Sequence, residues 1–138
     1  MKTLQQLFVD ITKFKDMAEK AIEVAPHIIG RNVVNDIHQN FKLQGLQSDK
    51  GFEPWEPSRA AIEEHRKTLI DTATMFNSIH YEVEGNKVLV GLDSSLVPYA
   101  KYHNEGTDDI TKRQFLYVRQ AVLKKAMEQI EKLIKVPK

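Results

Sequence analysis

The chain has 138 residues, 41% of them hydrophobic and none of them cysteine. That is enough for one core without a disulfide, and it rules out thiol catalysis and thiolate metal sites. Twenty basic and nineteen acidic side chains leave a net charge of +1, so bulk charge names no partner, and no apolar run approaches the roughly 20 residues of a membrane helix.

Residues 3–25 read as an amphipathic helix, because Leu4, Leu7, Phe8, Ile11, Phe14, Ala18, Ala21, Ile22 and Ala25 recur at spacings of three and four. The opening Met1-Lys2-Thr3-Leu4-Gln5-Gln6 is too polar for a signal-peptide core, which points to a soluble, cytoplasmic protein. Pro26 lacks a backbone N–H, so it either kinks this helix or opens a second one. The second runs to about Leu43 with Ile29, Val33, Val34, Ile37 and Phe41 as its buried stripe and Gly45 as its stop.

Residues 44–57, with two glycines and two prolines, read as a loop. Ser58 then caps a short charged helix through about Lys67, and a further turn or two spans Asp71 to Ser78, capped by Asp71 or Thr72. A hairpin follows. With Gly85-Asn86 at its tip, Glu84 pairs with Lys87, Val83 with Val88, Tyr81 with Val90 and Ile79 with Leu92, which puts the apolar pairs on one face.

Beyond Pro98 the stretch YAKYHNEGTDD is rich in turn formers. The last element starts near Thr111 as a helix whose stripe comprises Phe115, Leu116, Arg119, Val122, Leu123, Ala126, Met127, Ile130, Leu133 and Ile134, although Phe115 to Val118 can also begin as a strand. The expected class is α+β: N-terminal helices and a long C-terminal helix packed on a small antiparallel sheet containing a β-hairpin. One domain covers 1–138, with a helical arm or helix pair over 1–43, a core over 44–120 and the C-terminal helix over 111–136.

No phosphate-binding glycine loop, nucleophile elbow or H-E-x-x-H pair occurs. Of the histidines His27, His38, His65, His80 and His103, only the run His103-Asn104-Glu105 approaches a ligand set, and adjacent side chains diverge on a regular backbone. The acidic pairs Glu63-Glu64 and Asp108-Asp109 lie in polar stretches, where solvated faces account for them without a shifted pKa. The expectation is therefore no catalytic residue, no metal, no cofactor and no enzymatic activity.

Charge is unevenly spread. From Ile110 to Lys138 eight basic residues face only Glu128 and Glu131, a net of +6, and the other 109 residues carry a net of −5. Such lopsidedness favours head-to-tail contacts that close into rings. Candidate contact residues are Phe52 and Trp55 on the aromatic-proline loop and Lys124, Lys125 and Lys132 on the last helix; Trp55 can equally fold back onto its own core. An alternative is a small nucleic-acid-binding protein using this basic C-terminal helix, but beyond Tyr117 no aromatic residue interleaves its lysines.

Four patches occur in order: Phe52-Glu53-Pro54-Trp55-Glu56-Pro57-Ser58; Leu69 to Ile79 (LIDTATMFNSI); Val88-Leu89-Val90-Gly91 followed by Tyr99-Ala100-Lys101-Tyr102-His103-Asn104-Glu105-Gly106; and Arg113-Gln114-Phe115-Leu116. Over about residues 45–120 this arrangement resembles the virion-morphogenesis, or tail-completion, proteins of tailed bacteriophages. The matching positions are Trp55, Thr72, Phe76, Ser78, Ile79, Gly91, Tyr99, Ala100, His103, Gly106, Arg113, Phe115 and Leu116, with Ala73 where the family usually has glycine and Gln114 where it usually has proline. The resemblance implies a structural role in tail completion or head–tail joining, with phage tail and connector proteins as partners and homo-oligomeric rings as the working form. It also implies a virion component or assembly factor made in the host bacterial cytoplasm. Most matching positions have ordinary structural explanations: Thr72 as a cap, Phe76 and Ile79 as core, Gly91 and Gly106 as positive-φ positions, and Tyr99 and His103 as hydrogen-bonding turn residues.

Overall fold

The computed structural model describes residues 3–10, 19–57, 74–93, 99–108 and 111–134. The expected helix over 58–67, its cap Ser58, and the caps Asp71 and Thr72 lie outside these residues. The described elements are strand β1 (Thr3–Asp10), helix α1 (Glu19–Leu43), strands β2 (Gly45–Ser48) and β3 (Gly51–Pro54), helix α2 (Thr74–Ser78), strands β4 (His80–Glu84) and β5 (Lys87–Asp93), and helices α3 (Ala100–Glu105) and α4 (Gln120–Ile134). Four helices with two small antiparallel sheets make the class α+β, as the sequence pattern implies.

The hairpin forms in the expected register. Glu84 pairs with Lys87, Val83 with Val88 and Tyr81 with Val90, and Gly85 turns the chain at φ 57°. Strand β5 lies in the middle of the order β1-β5-β4, and Val88 through Leu92 are all buried, as in a strand covered on both faces. Such a strand needs neighbours on both edges, and β1 supplies the second.

That pairing overturns the expected helix of 3–25 over its first part, residues 3–10, whereas residues 19–25 are helical as expected and 11–18 lie outside the described residues. Residues 3–10 are extended and antiparallel to β5, with Leu7 opposite Val90 and Val9 opposite Val88. Between Thr3 and Gln6 the register slips by one residue, a bulge that interrupts strict alternation. Apolar residues at 4, 7 and 8 then mimic helical spacing, and local periodicity gives way to the hydrogen-bonding demand of β5.

Helix α1 runs unbroken from Glu19 to Leu43 through Pro26, so Pro26 opens no second helix. Its expected stripe is buried: Ala25, Ile29, Val33, Ile37 and Phe41 are each at most 1% exposed, and Val34 packs beside them. This stripe meets β4, β5 and α4, and its burial offsets the roughly 3 kcal/mol cost of an interior proline. The helix stops at Gln44, which adopts φ 60° and donates its side-chain amide to the Phe41 carbonyl at 2.6 Å. Gly45 is thus not the left-handed stop. It is a close-approach position, where a Cβ would lie 2.6 Å from the Glu53 carbonyl oxygen.

The expected loop over 44–57 is a second hairpin, β2–β3, with Gln47 opposite Phe52 and Ser48 opposite Gly51. Its polar residues and glycines hid a four-residue ladder that Trp55 extends by donating its backbone N–H to Gln44 at 2.8 Å. The C-terminal helix also departs from expectation, because α4 begins at Gln120 and not near Thr111. Residues 111–119 carry no regular structure because side chains elsewhere claim their backbone groups. Asn104 Oδ1 accepts the N–H groups of Phe115 and Leu116 at 3.0 and 3.2 Å, and Asn40 Nδ2 donates to the Phe115 carbonyl at 2.9 Å. Phe115 and Leu116 are thereby held in the core, where Phe115 meets Phe41 at 5.3 Å between ring centres. Within α4, Val122, Ala126 and Ile130 face the core as expected, but Leu133 is half exposed.

Replacing Asn104 with alanine strands two buried N–H groups, and we expect a loss of about 2–3 kcal/mol of stability, read as a lowered urea midpoint with an unchanged slope. At Gly30 the Tyr81 ring lies directly on the α1 backbone, inside the space a Cβ would occupy. Gly30→Ala should cost about 1–3 kcal/mol, and combining it with Tyr81→Ala should recover part of that loss. Additive losses in this double-mutant cycle would show the contact to be unimportant.

Candidate functional site

Residues 111–119 gather three of the four sequence patches. The Trp55 indole N–H donates to the Gln114 carbonyl at 2.9 Å, and Arg113 Nε donates to the Glu56 carbonyl at 2.6 Å, so the aromatic-proline loop and the Arg-Gln-Phe-Leu run are clasped together. The Arg113 backbone N–H donates to the His103 carbonyl at 2.7 Å, which ties in α3. Trp55 is 8% exposed and packs edge-on against Phe41 at 5.5 Å. It is a core residue, which corrects its candidacy as an interface residue: its ring fills the space over Phe41 and its polar edge is already bonded.

Other matching positions also serve the fold. Phe76 stacks on His38 with ring centres 4.2 Å apart, and Ser78 Oγ donates to the Met75 carbonyl at 2.9 Å. Ile79 and Ala100 are buried. Gly106 ends α3 at φ 78°, as expected of it, whereas Gly91 sits inside β5 and is not a positive-φ position. Tyr99 precedes α3, 41% exposed and edge-on to His103.

A polar cluster that sequence reading missed joins α1, β2 and the start of α4. Asp36 is 9% exposed and accepts two hydrogen bonds from Arg119, from Nε at 2.8 Å and from a terminal guanidinium nitrogen at 2.5 Å. Hydrogen bonding to Asp36 raises the Arg119 pKa above its ordinary value, against a smaller opposing effect of burial. Asn40 Oδ1 accepts the Gln47 backbone N–H at 2.9 Å. Asp49, in the β2–β3 turn, accepts the Gln120 backbone N–H at 2.8 Å and the Tyr117 hydroxyl at 3.1 Å, so a side chain from the hairpin caps α4. The available signal was Asp36 and Asn40, polar residues one helical turn apart that flank the buried Ile37 and Phe41.

Two open grooves meet at Arg119. The first, about 310 Å³, lies between the end of α1 and the β2–β3 hairpin, lined by Leu43, Gln47, Ser48, Gly51, Phe52 and Arg119. Phe52 and Leu43 are 48% and 50% exposed there. The second lies between α1 and α4, where Asn32 donates to Gln129 across the gap at 2.9 Å and Lys125 lines the rim. Lys124 and Lys132 are exposed elsewhere on α4. The interface candidates therefore do not form one surface: Phe52 belongs to the first groove and Lys125 to the second. Among the described residues, no group of three or more histidine or acidic side chains is arranged to hold a metal ion. No described helix is long and apolar enough to cross a membrane.

Compared with known proteins, the chain matches no protein-family model, no curated protein and no solved structure.

His38 supplies a pH-dependent link between α1 and α2, donating through Nε2 to the Phe76 carbonyl at 2.9 Å. Burial lowers its pKa, partly opposed by that hydrogen bond and reinforced by Lys42. The unfolded chain therefore takes up the proton more readily than the folded one. The contribution of neutral His38 is complete above the unfolded value of about 6.5, declines as pH falls below it, and levels off beneath the folded value. Urea midpoints measured at successive pH values should fall less steeply over this interval for His38→Gln than for the parent chain. Equal slopes would remove His38 as a source of acid sensitivity.

Proposed function

We propose that this chain is a non-enzymatic structural protein of tailed-phage virion assembly. In this reading it acts in tail completion or head–tail joining, through contacts with virion proteins and with copies of itself in a ring. The observation that carries the proposal is the hairpin groove, where two large apolar side chains, Phe52 and Leu43, are about half exposed on neighbouring elements. Exposed apolar surface gathered in a groove marks a place where a partner gains about 25 cal/mol per Å² on covering it.

Backbone geometry supports the same surface. Ser48–Gly51 closes the two-residue turn, so ladder alternation points the Phe52 N–H and C=O away from β2. The Gln47 N–H correspondingly points away from β3, toward Asn40. Strand β3 is exposed throughout and offers a short open edge beside an aromatic anchor, a combination suited to strand addition. The resemblance of residues 45–120 to tail-completion proteins supplies the phage context. The +6 C-terminal segment and the −5 remainder of the sequence favour head-to-tail association. A stable contact buries about 800 Å² per partner, so the groove acts as its anchor and the remaining area comes from the surrounding surface.

Phe52→Asp combined with Leu43→Ser should leave the fold intact, since both side chains are half exposed, yet weaken assembly. Self-association measured by light scattering, and capture by purified tail and connector proteins, should each fall at least tenfold, as expected when an anchor worth about 2 kcal/mol is lost. A parent chain that stays monomeric at high concentration and ignores those proteins would overturn the proposal.

A further inference from the structure

The groove between α1 and α4 has a composition that the core packing does not call for. Two adjoining hollows of about 390 Å³ each share Asn32, Asn35 and Lys125 and run along the helix pair as one polar trough. Its rim is formed by Arg31, Asn32, Asn35, Gln39, Lys125 and Gln129. Residues 31, 35 and 39 form one ladder along α1, and 121, 125 and 129 form the facing ladder on α4. A contact between helices that serves stability alone is closed by apolar side chains or by opposite charges. Here cations and carboxamides line both sides alongside Ile28, Ala121 and Val122.

The charges do not cancel. Asp36 is the lining's one carboxylate among the described residues, and its two oxygens are occupied by Arg119. Glu128 and Glu131, the carboxylates of α4, do not line the trough. Among the described residues, no carboxylate other than Asp36 lines the trough beside Arg31 and Lys125, both of which are exposed. Asn32 also orients a donor: it donates to the Ile28 carbonyl at 2.8 Å and to Gln129 Oε1 at 2.9 Å. With its oxygen engaged, Gln129 presents its NH₂ group. Two exposed cations with an amide donor between them match a phosphate oxygen.

From Arg31 to Gln39 the trough extends about 12 Å at 1.5 Å per residue. One nucleic-acid strand rises about 3.4 Å per phosphate, so this length follows roughly three nucleotides and exceeds what a single small anion fills.

We propose that the α1–α4 trough binds the phosphodiester backbone of nucleic acid, with Arg31 and Lys125 as the charge contacts and Gln129 as a hydrogen-bond donor. This is independent of the hairpin groove, and it places the nucleic-acid contact on two helices where sequence reading offers only the C-terminal one. The charge contacts of Arg31 and Lys125 go to phosphate, and such contacts carry no sequence information directly.

The test is fluorescence anisotropy of a labelled single-stranded oligonucleotide and its duplex, titrated with the full chain between about 50 and 200 mM salt. Arg31→Ala with Lys125→Ala should flatten the slope of log affinity against log salt by about 2, equivalent to about a tenfold change across that range. Gln129→Leu should weaken binding without changing the slope. Lys50→Ala with Lys101→Ala, two exposed lysines outside the trough, should change neither quantity, and circular dichroism should show all variants folded. The proposal is overturned by absence of binding at the lowest salt. It is equally overturned if the control pair flattens the slope as much as the trough pair, or if heparin binds with the same dependence on Arg31 and Lys125, since either marks general attraction to polyanions.

Discussion

Two buried asparagines decide how the C-terminal third of the described chain is arranged. Asn40 on α1 and Asn104 on α3, each at most 3% exposed, between them take both backbone polar groups of Phe115 and the N–H of Leu116. A backbone segment without helix or strand hydrogen bonds enters a core only if side chains meet its polar groups, and these two residues do so. Once residues 111–119 are pinned, Phe115 fills the space beside Phe41, Gln114 and Arg113 reach the Trp55 loop, and α4 starts where Asp49 can cap it.

The Asp36–Arg119 pair has a different consequence. It sits where the two grooves meet, one apolar beside Phe52 and Leu43 and one polar beside Lys125. Asp36 is buried and Arg119 only partly so, and such a pair contributes little net stability over an apolar replacement, but loss of Arg119 would leave the Asp36 carboxylate stranded. Its value here is positional. It ties α1 to the segment that leads into α4, at the point where the two grooves meet.

Much of the fold was legible from short-range pattern. The β4–β5 hairpin followed from alternation around Gly85-Asn86, because turn chemistry and side-chain period act over only a few residues. The stripe of α1 from Ile29 to Phe41 and the spacing of Val122, Ala126 and Ile130 followed from helical periodicity. The faults lay where a distant partner decides. Residues 3–10 have apolar spacing compatible with either a helix or a bulged strand, and the need of β5 for a second neighbour selects the strand. Residues 45–54 have little apolar pattern, and their ladder depends on Asn40 and Gln44 at the end of α1.

For the surfaces the division is similar. Residue identity alone established which side chains are cationic, aromatic or small, and that no thiol is present, since those are covalent properties. Whether Trp55 faces water or Phe41, and whether Lys125 stands opposite Asn32 or alone, depended on elements nearly 60 to 100 residues apart in the chain. Local propensity cannot encode such meetings, because they arise only when hydrogen-bond satisfaction and close packing are met across the whole molecule at once.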